Sequence, residues 1–207
     1  MTDSSVDVTP VQVSLIVTPD VFERFCLLTG DGFRIRTRLD CSVRELLCLQ
    51  LGVDSAYLDD RIQTIFLNGR VVDDPDVALV VAGSTLALSA AMPGIAGAML
   101  RKKSRYAPMR SGLSYTRPSV GPDGNAEGDV VVKLFNLLQR ELGPQFLRRG
   151  IRIPGRALHR LLEGRWRAFR AGIVEAEISA EQVEPNALLD RDWANQELVL
   201  IVRRSGE

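Results

Sequence analysis

The chain has 207 residues, 45% hydrophobic and 25% charged, with Lys+Arg and Asp+Glu both at 26. That length accommodates one large domain or two small ones with real cores, and the balanced charge excludes a bulk electrostatic pull toward nucleic acid or membrane. The balance is uneven, however: residues 1–95 carry thirteen acidic and seven basic side chains, 96–127 two and six, and 128–207 eleven and thirteen.

Residues 1–10 (MTDSSVDVTP) read as a flexible start, without the basic beginning and apolar run of a signal peptide. Residues 11–17 (VQVSLIV) predict a β-strand, and the alternating Phe33, Ile35, Thr37 and Leu39 predict a second. Between them, Val21 to Leu28 is apolar without a decisive period. Ser42 and Glu45 form a capping box that opens a helix with Val43, Leu46, Leu47 and Leu51 on one face and Gly52 as its stop. Asn68-Gly69 between two apolar runs predicts a tight hairpin, since both turn positions need positive φ. The polar turn with Asp73, Asp74 and Asp76 follows, then a strand carrying Leu86 and Leu88 on one face. Residues 101–128 are basic at first, then rich in Gly, Pro, Ser and Asn, and read as a linker.

The second half predicts the same order. VVVKLFNLL and LRRGIRI read as strands, and Pro154 sits near the start of a helix with Leu158, Leu161, Leu162 and Phe169 at helical spacing. IVEAEIS and QELVLIVRR supply two more strands. The predicted fold class is therefore α+β, with β-β-α-β-β occurring twice. The expected divisions are a domain over 11–95, a linker over 96–128 and a second domain over 129–207.

The uncharged run Val77–Leu100, followed by Arg101, has the length of a membrane span, but its glycines, Pro93 and initial strand-like alternation favour a non-membrane reading. Cys26, Cys41 and Cys48 form no CxxC pair and leave an odd thiol, so reduced cysteines in a cytoplasmic protein are expected.

The first-half stretch IFLNGRVVDDPDVALVVAGSTLALSAAMPG resembles the carboxy-terminal half of ubiquitin and of the thiamine sulfur carrier. VKLFNLLQRELG resembles the opening of the small subunit of molybdopterin synthase, and NQELVLIVRRSG a ubiquitin-like last strand and tail. The resemblance implies two tandem β-grasp (ubiquitin-like) domains. It also implies a candidate conjugation or sulfur-carrier tail at Ser205 and Gly206, with Gly94 and Gly97 at the corresponding place in the first domain. The family acts through a terminal Gly-Gly, whereas here a single Gly206 is followed by Glu207.

No catalytic residue, metal site or cofactor is expected. His159, the only histidine, has no triad partner nearby in sequence. The first expectation is a non-enzymatic protein that binds or assembles with other proteins, with Arg148, Arg149, Arg152, Arg156 and Arg160 as the candidate partner surface. The second is a modifier or sulfur-carrier precursor, trimmed by a processing peptidase to Gly206 and activated by an adenylating enzyme. Nucleic-acid binding through the arginines beside Trp166 and Phe169 ranks last.

Overall fold

The computed structural model describes residues 9–90, 97, 100–102, 115 and 126–207. Its strands are β1 (Val11–Val17), β2 (Phe33–Arg38), β3 (Cys41–Ser42), β4 (Thr64–Leu67), β5 (Arg70–Val71), β6 (Leu79–Val80), β7 (Thr85–Ser89), β8 (Glu127–Phe135), β9 (Ile151–Pro154), β10 (Ile173–Ile178), β11 (Glu181–Gln182) and β12 (Glu197–Arg204). Helices alternate with them, so the fold is α+β. The chain divides into a discontinuous unit, residues 1–33 with 143–207, and a continuous unit, residues 34–142.

In the discontinuous unit the strand order is β11-β10-β1-β12-β9. β1 runs antiparallel to β10 and parallel to β12, and β12 runs antiparallel to β9. Alternation decides the faces: Val13, Leu15 and Val17 are buried, as are Leu198, Leu200 and Val202, while Ser14, Ile16, Val199 and Ile201 keep partial exposure on the other side. Helices cover the buried face. Helix Pro19–Phe25, opened by a proline in its first turn, buries Val21, Phe22 and Phe25. Helix Gly155–Glu163 buries Ala157, Leu158 and Leu162. Trp193 closes the core at 1% exposure, its indole N–H donating to the Leu188 carbonyl at 2.7 Å.

The continuous unit has the order β5-β4-β7-β8-β2, with a separate β3-β6 pair. β7 runs antiparallel to β4 and parallel to β8. Here the local signals are met closely. The Ser42 amide donates to the Glu45 carboxylate at 2.7 Å, and the Glu45 amide donates to the Ser42 hydroxyl at 3.1 Å. The helix they open is π-type over Glu45–Gln50, with Leu46 and Leu47 fully buried and Leu49 75% exposed. Asn68 and Gly69 turn the β4–β5 hairpin at φ +52° and +77°. The described first part of the uncharged run is β6 and β7, with Leu86 and Leu88 at 0% exposure. Among the described residues no helix is long and apolar enough to cross a membrane.

Contacts divide the chain elsewhere than at the Gly/Pro-rich stretch. β1, the opening strand of the first half, does not pair with β2 but completes the sheet of the second half. Conversely β8, the opening strand of the second half, completes the sheet of the first. The physical reason lies in the connections. Helices Pro19–Phe25 and Leu28–Asp31 separate β1 from β2, and helices Leu137–Glu141 and Gly143–Arg149 separate β8 from β9. With no tight turn imposing a hairpin, neither opening strand is tied to the strand that follows it. The LRRGIRI segment also differs from expectation: Arg148 and Arg149 end a helix, Gly150 turns at φ +95°, and only Ile151 onward is strand.

Candidate functional site

Four helices of the discontinuous unit meet at their ends around an open groove of about 330 Å³. Its floor is apolar. Leu28, Ala157 and Phe169 lie there at 3%, 5% and 1% exposure, and Phe169 meets Phe25 edge-to-face at 5.3 Å. Leu27 stands at one wall, 47% exposed. Arg24, Arg160 and Arg165 form the rim with a single carboxylate, Asp31. Arg160 bonds Asp31 at 3.1 Å, tying helix Gly155–Glu163 to helix Leu28–Asp31. Both partners are well exposed, so the pair contributes little stability; its effect is to hold charge at the groove mouth.

Between the first two helices the buried Thr29 hydroxyl donates to the Cys26 carbonyl at 2.6 Å, and the same carbonyl accepts from the Thr29 amide at 3.1 Å. Cys26 itself is 1% exposed, and burial pushes its thiol up to about 11 even though the guanidinium groups of Arg204 and Arg148 pull the other way. It packs against Gly143, where a β-carbon would lie 3.3 Å from the Cys26 Cβ. This thiol is a packing group and not a nucleophile.

Of the five arginines expected to form one surface, only Arg160 lines the groove. Arg148 lies 5.4 Å from the Phe22 ring centroid, with Arg204 at 4.8 Å over the same ring. Arg152 is on β9, opposite Val199. Arg149 ends its helix, and Arg156 is exposed. Sequence reasoning missed Arg24, Leu27 and Asp31. The signal was present: Val21, Phe22, Phe25 and Leu28 follow the i, i+1, i+4, i+7 spacing of an amphipathic helix.

The tail residues lie apart from the groove. The Ser205 amide donates to the Val17 carbonyl at 2.8 Å, extending the β1–β12 ladder. Gly206 follows at φ +87°, and a β-carbon there would meet no non-neighbouring atom within 4 Å. The Glu207 side-chain carboxylate then forks onto Arg148, through Nε at 2.8 Å and Nη2, and that bond draws its titration below the ordinary range. Gly97 is buried and helical, its carbonyl accepting from the Arg101 amide at 3.1 Å; Gly94 lies outside the described residues.

Other polar groups have structural partners. Asp76 and Asp59 both bind Arg44, at 2.8 and 2.7 Å, and the Asp74 carboxylate accepts from the Asp76 amide. His159 stands 3.7 Å from Glu163, one turn on. Phe169 is in the core, so of the two aromatics among the arginines only Trp166 is partly exposed. Among the described residues no group of three or more His, Cys, Asp or Glu is placed to hold a metal.

No family model matches the chain, and neither the curated proteins nor the solved structures contain a match to it.

Proposed function

We propose that the chain is a non-enzymatic binding protein built from two β-grasp (ubiquitin-like) units that have traded their opening strands. The β-grasp reading draws on the strand order. In each unit a parallel pair has an antiparallel neighbour that turns into a two-residue hairpin at one edge, as in β11-β10-β1-β12 and β5-β4-β7-β8; the strand of the pair beside that hairpin is the opening β1 in one unit and the closing β7 in the other. Helix Gly155–Glu163 leaves β9 on one side of its pair and leads to β10 on the other, the crossover that a β-grasp uses.

The observation that carries the functional reading is the arginine-rimmed apolar groove. Its occupant is an acidic amphipathic segment of another protein. Leu27, Leu28 and Leu161 offer apolar contact, and three arginines face one carboxylate, so an acidic segment gains on approach and a basic one is repelled. The pinned Ser205 and the forked Glu207 favour this reading over the conjugation tail, because a tail threading an adenylating enzyme has to leave the sheet first.

The test is affinity purification from the native cell with the wild-type chain, Leu27→Asp and Arg165→Glu, together with the intact mass of the recovered protein. The proposal predicts an acidic partner lost in both variants and a chain of the encoded mass. An adduct through Gly206 would establish the modifier reading instead. Identical partners in all three samples would remove the groove from the account.

A further inference from the structure

The turn that follows β12 is built to return a carboxylate. The Ser205 amide is held by the Val17 carbonyl at 2.8 Å, and the Glu207 amide reaches back to the Arg204 carbonyl at 3.4 Å. Gly206 is third in that four-residue turn at φ +87°, a conformation that a type II turn reserves for glycine. The Glu207 side chain then meets Arg148, at the end of helix Gly143–Arg149, through Nε at 2.8 Å and through Nη2.

Two cations gather here. The Cζ atoms of Arg148 and Arg204 lie 5.4 and 4.8 Å from the centroid of the same Phe22 ring, and Phe22 is wholly buried. A guanidinium over an aromatic ring is held in place with its N–H edge still open to an anion. Arg148 turns that edge to Glu207. Among the described residues Arg204 makes no ion pair, and its Nε is buried without a hydrogen-bond partner. Both cations nevertheless bear on the one carboxylate: the Arg148 hydrogen bond draws the titration of Glu207 down, and the Arg204 charge adds to it. Two guanidinium groups thus face a single carboxylate whose oxygens are both bound to Arg148.

The geometry points to an oxyanion-binding site formed by Arg148 and Arg204 over Phe22, in which Glu207 is a resident stand-in and the external ligand is a phosphate monoester group. An external monocarboxylate brings nothing that Glu207 lacks, and it competes with a tethered carboxylate at an effective concentration on the order of millimolar or more. A phosphate group brings a charge of about −1.5 to −2 and three acceptor oxygens, enough to accept from Arg148 and Arg204 at once. Binding is then an exchange. Phosphate enters, the Glu207 carboxylate passes to water, and Ser205 stays on the β1–β12 ladder. The site is separate from the arginine-rimmed groove, since none of the groove's lining residues takes part.

The experiment is nuclear magnetic resonance on the full chain at neutral pH and constant ionic strength, following the Gly206 and Glu207 amides and the arginine Nε–H signals. The probes are inorganic phosphate, a short phosphoserine peptide and acetate. The proteins are wild type, Glu207→Gln, Arg148→Gln and Arg204→Gln, each verified as folded by circular dichroism. Phosphate should saturate the wild type with a dissociation constant on the order of 1 mM, moving both amides toward their positions in Glu207→Gln. Glu207→Gln removes the internal competitor and should bind at least about fivefold more tightly. Each arginine variant should bind at least about tenfold more weakly. Saturation by both phosphate probes assigns the site to the phosphate group itself, and saturation by the peptide alone assigns it to a phosphorylated chain. Signals that neither probe moves would overturn the inference. So would equal affinity in wild type and Glu207→Gln, or acetate that matches phosphate. Glu207 is exposed, so its comparison with the wild type stands even where an arginine variant does not fold.

Discussion

The two units share a parallel strand pair and a two-residue hairpin at one edge, and they reach it by different means. The continuous unit is assembled from signals lying close together in the chain: a reciprocal capping box, an Asn-Gly hairpin and a short β3–β6 pair. Its largest fully buried side chains are aliphatic, among them Leu46, Leu47, Leu58, Ile62, Ile65 and Leu67. The discontinuous unit holds Phe22, Phe25, Phe33, Phe169 and Trp193, and its central pair joins residues far apart, Val11 with Leu198 through Val17 with Arg204. Local encoding gives a self-contained scaffold, whereas the unit assembled from distant segments carries the groove.

That contrast can be broken in several places. The largest effect is expected from the traded strands. Leu15 and Leu134 are buried at 2% and 0% exposure on β1 and β8. Either change to alanine should cost about 2–5 kcal/mol, and the location of the loss is the informative part. Hydrogen exchange should show Leu15→Ala deprotecting β10 and β12, and Leu134→Ala deprotecting β7. Deprotection of β2 and β7 by Leu15→Ala would restore the tandem order read from the sequence.

Gly155 gives the next largest effect. A β-carbon there would lie 2.5 Å from the Trp193 carbonyl and 2.8 Å from its Cβ, so Gly155→Ala must displace backbone. Urea denaturation should show a loss of about 1–3 kcal/mol, accompanied by a changed Trp193 environment. A neutral substitution would mean that the two segments are not in contact.

The hairpins sharpen the comparison further. Asn68-Gly69 turns β4 into β5, while Ser179-Ala180 turns β10 into β11 at φ +52° and +65° with neither residue suited to that region. Replacing Ser179-Ala180 with Asn-Gly should therefore stabilise the discontinuous unit by about 1 kcal/mol, read as a higher melting temperature.

The smallest effect is electrostatic. In the continuous unit Glu141 accepts from Arg61 and from the Tyr57 hydroxyl at 2.5 Å. The Arg61 guanidinium holds its carboxyl down at about 2, from an ordinary 4.5, while burial and the same carboxylate raise Tyr57. A depressed carboxyl adds stability that is present above its unfolded value and lost as pH falls through its folded value. Stability should thus decline between pH 4.5 and 2, and Glu141→Gln should flatten that decline. Because the pair is partly solvated, the difference should be below about 1 kcal/mol.

These elements also mark what the sequence could disclose. Capping boxes, Asn-Gly turns and alternation act over a few residues, so Ser42, Asn68 and the β12 alternation were legible. Strand partnership was not. VQVSLIV and VVVKLF present equivalent alternating surfaces, and nothing within either states which sheet it enters. The Ser179-Ala180 hairpin carried no glycine to announce it. At the groove the rim was read in part, through Arg160, but its other wall comes from residues 24–31 and required the strand exchange to bring it there.

The exchange itself is the central claim, and one cleavage tests it. A specific protease site placed between Gly121 and Gly124 would sever the chain between β7 and β8. Since β1 belongs to one fragment and its sheet to the other, and β8 the reverse, the account predicts that the fragments co-elute under native conditions. They should part only in denaturant, with each fragment alone lacking a cooperative unfolding transition. Two fragments that separate in native buffer, each folded and melting cooperatively by itself, would contradict it.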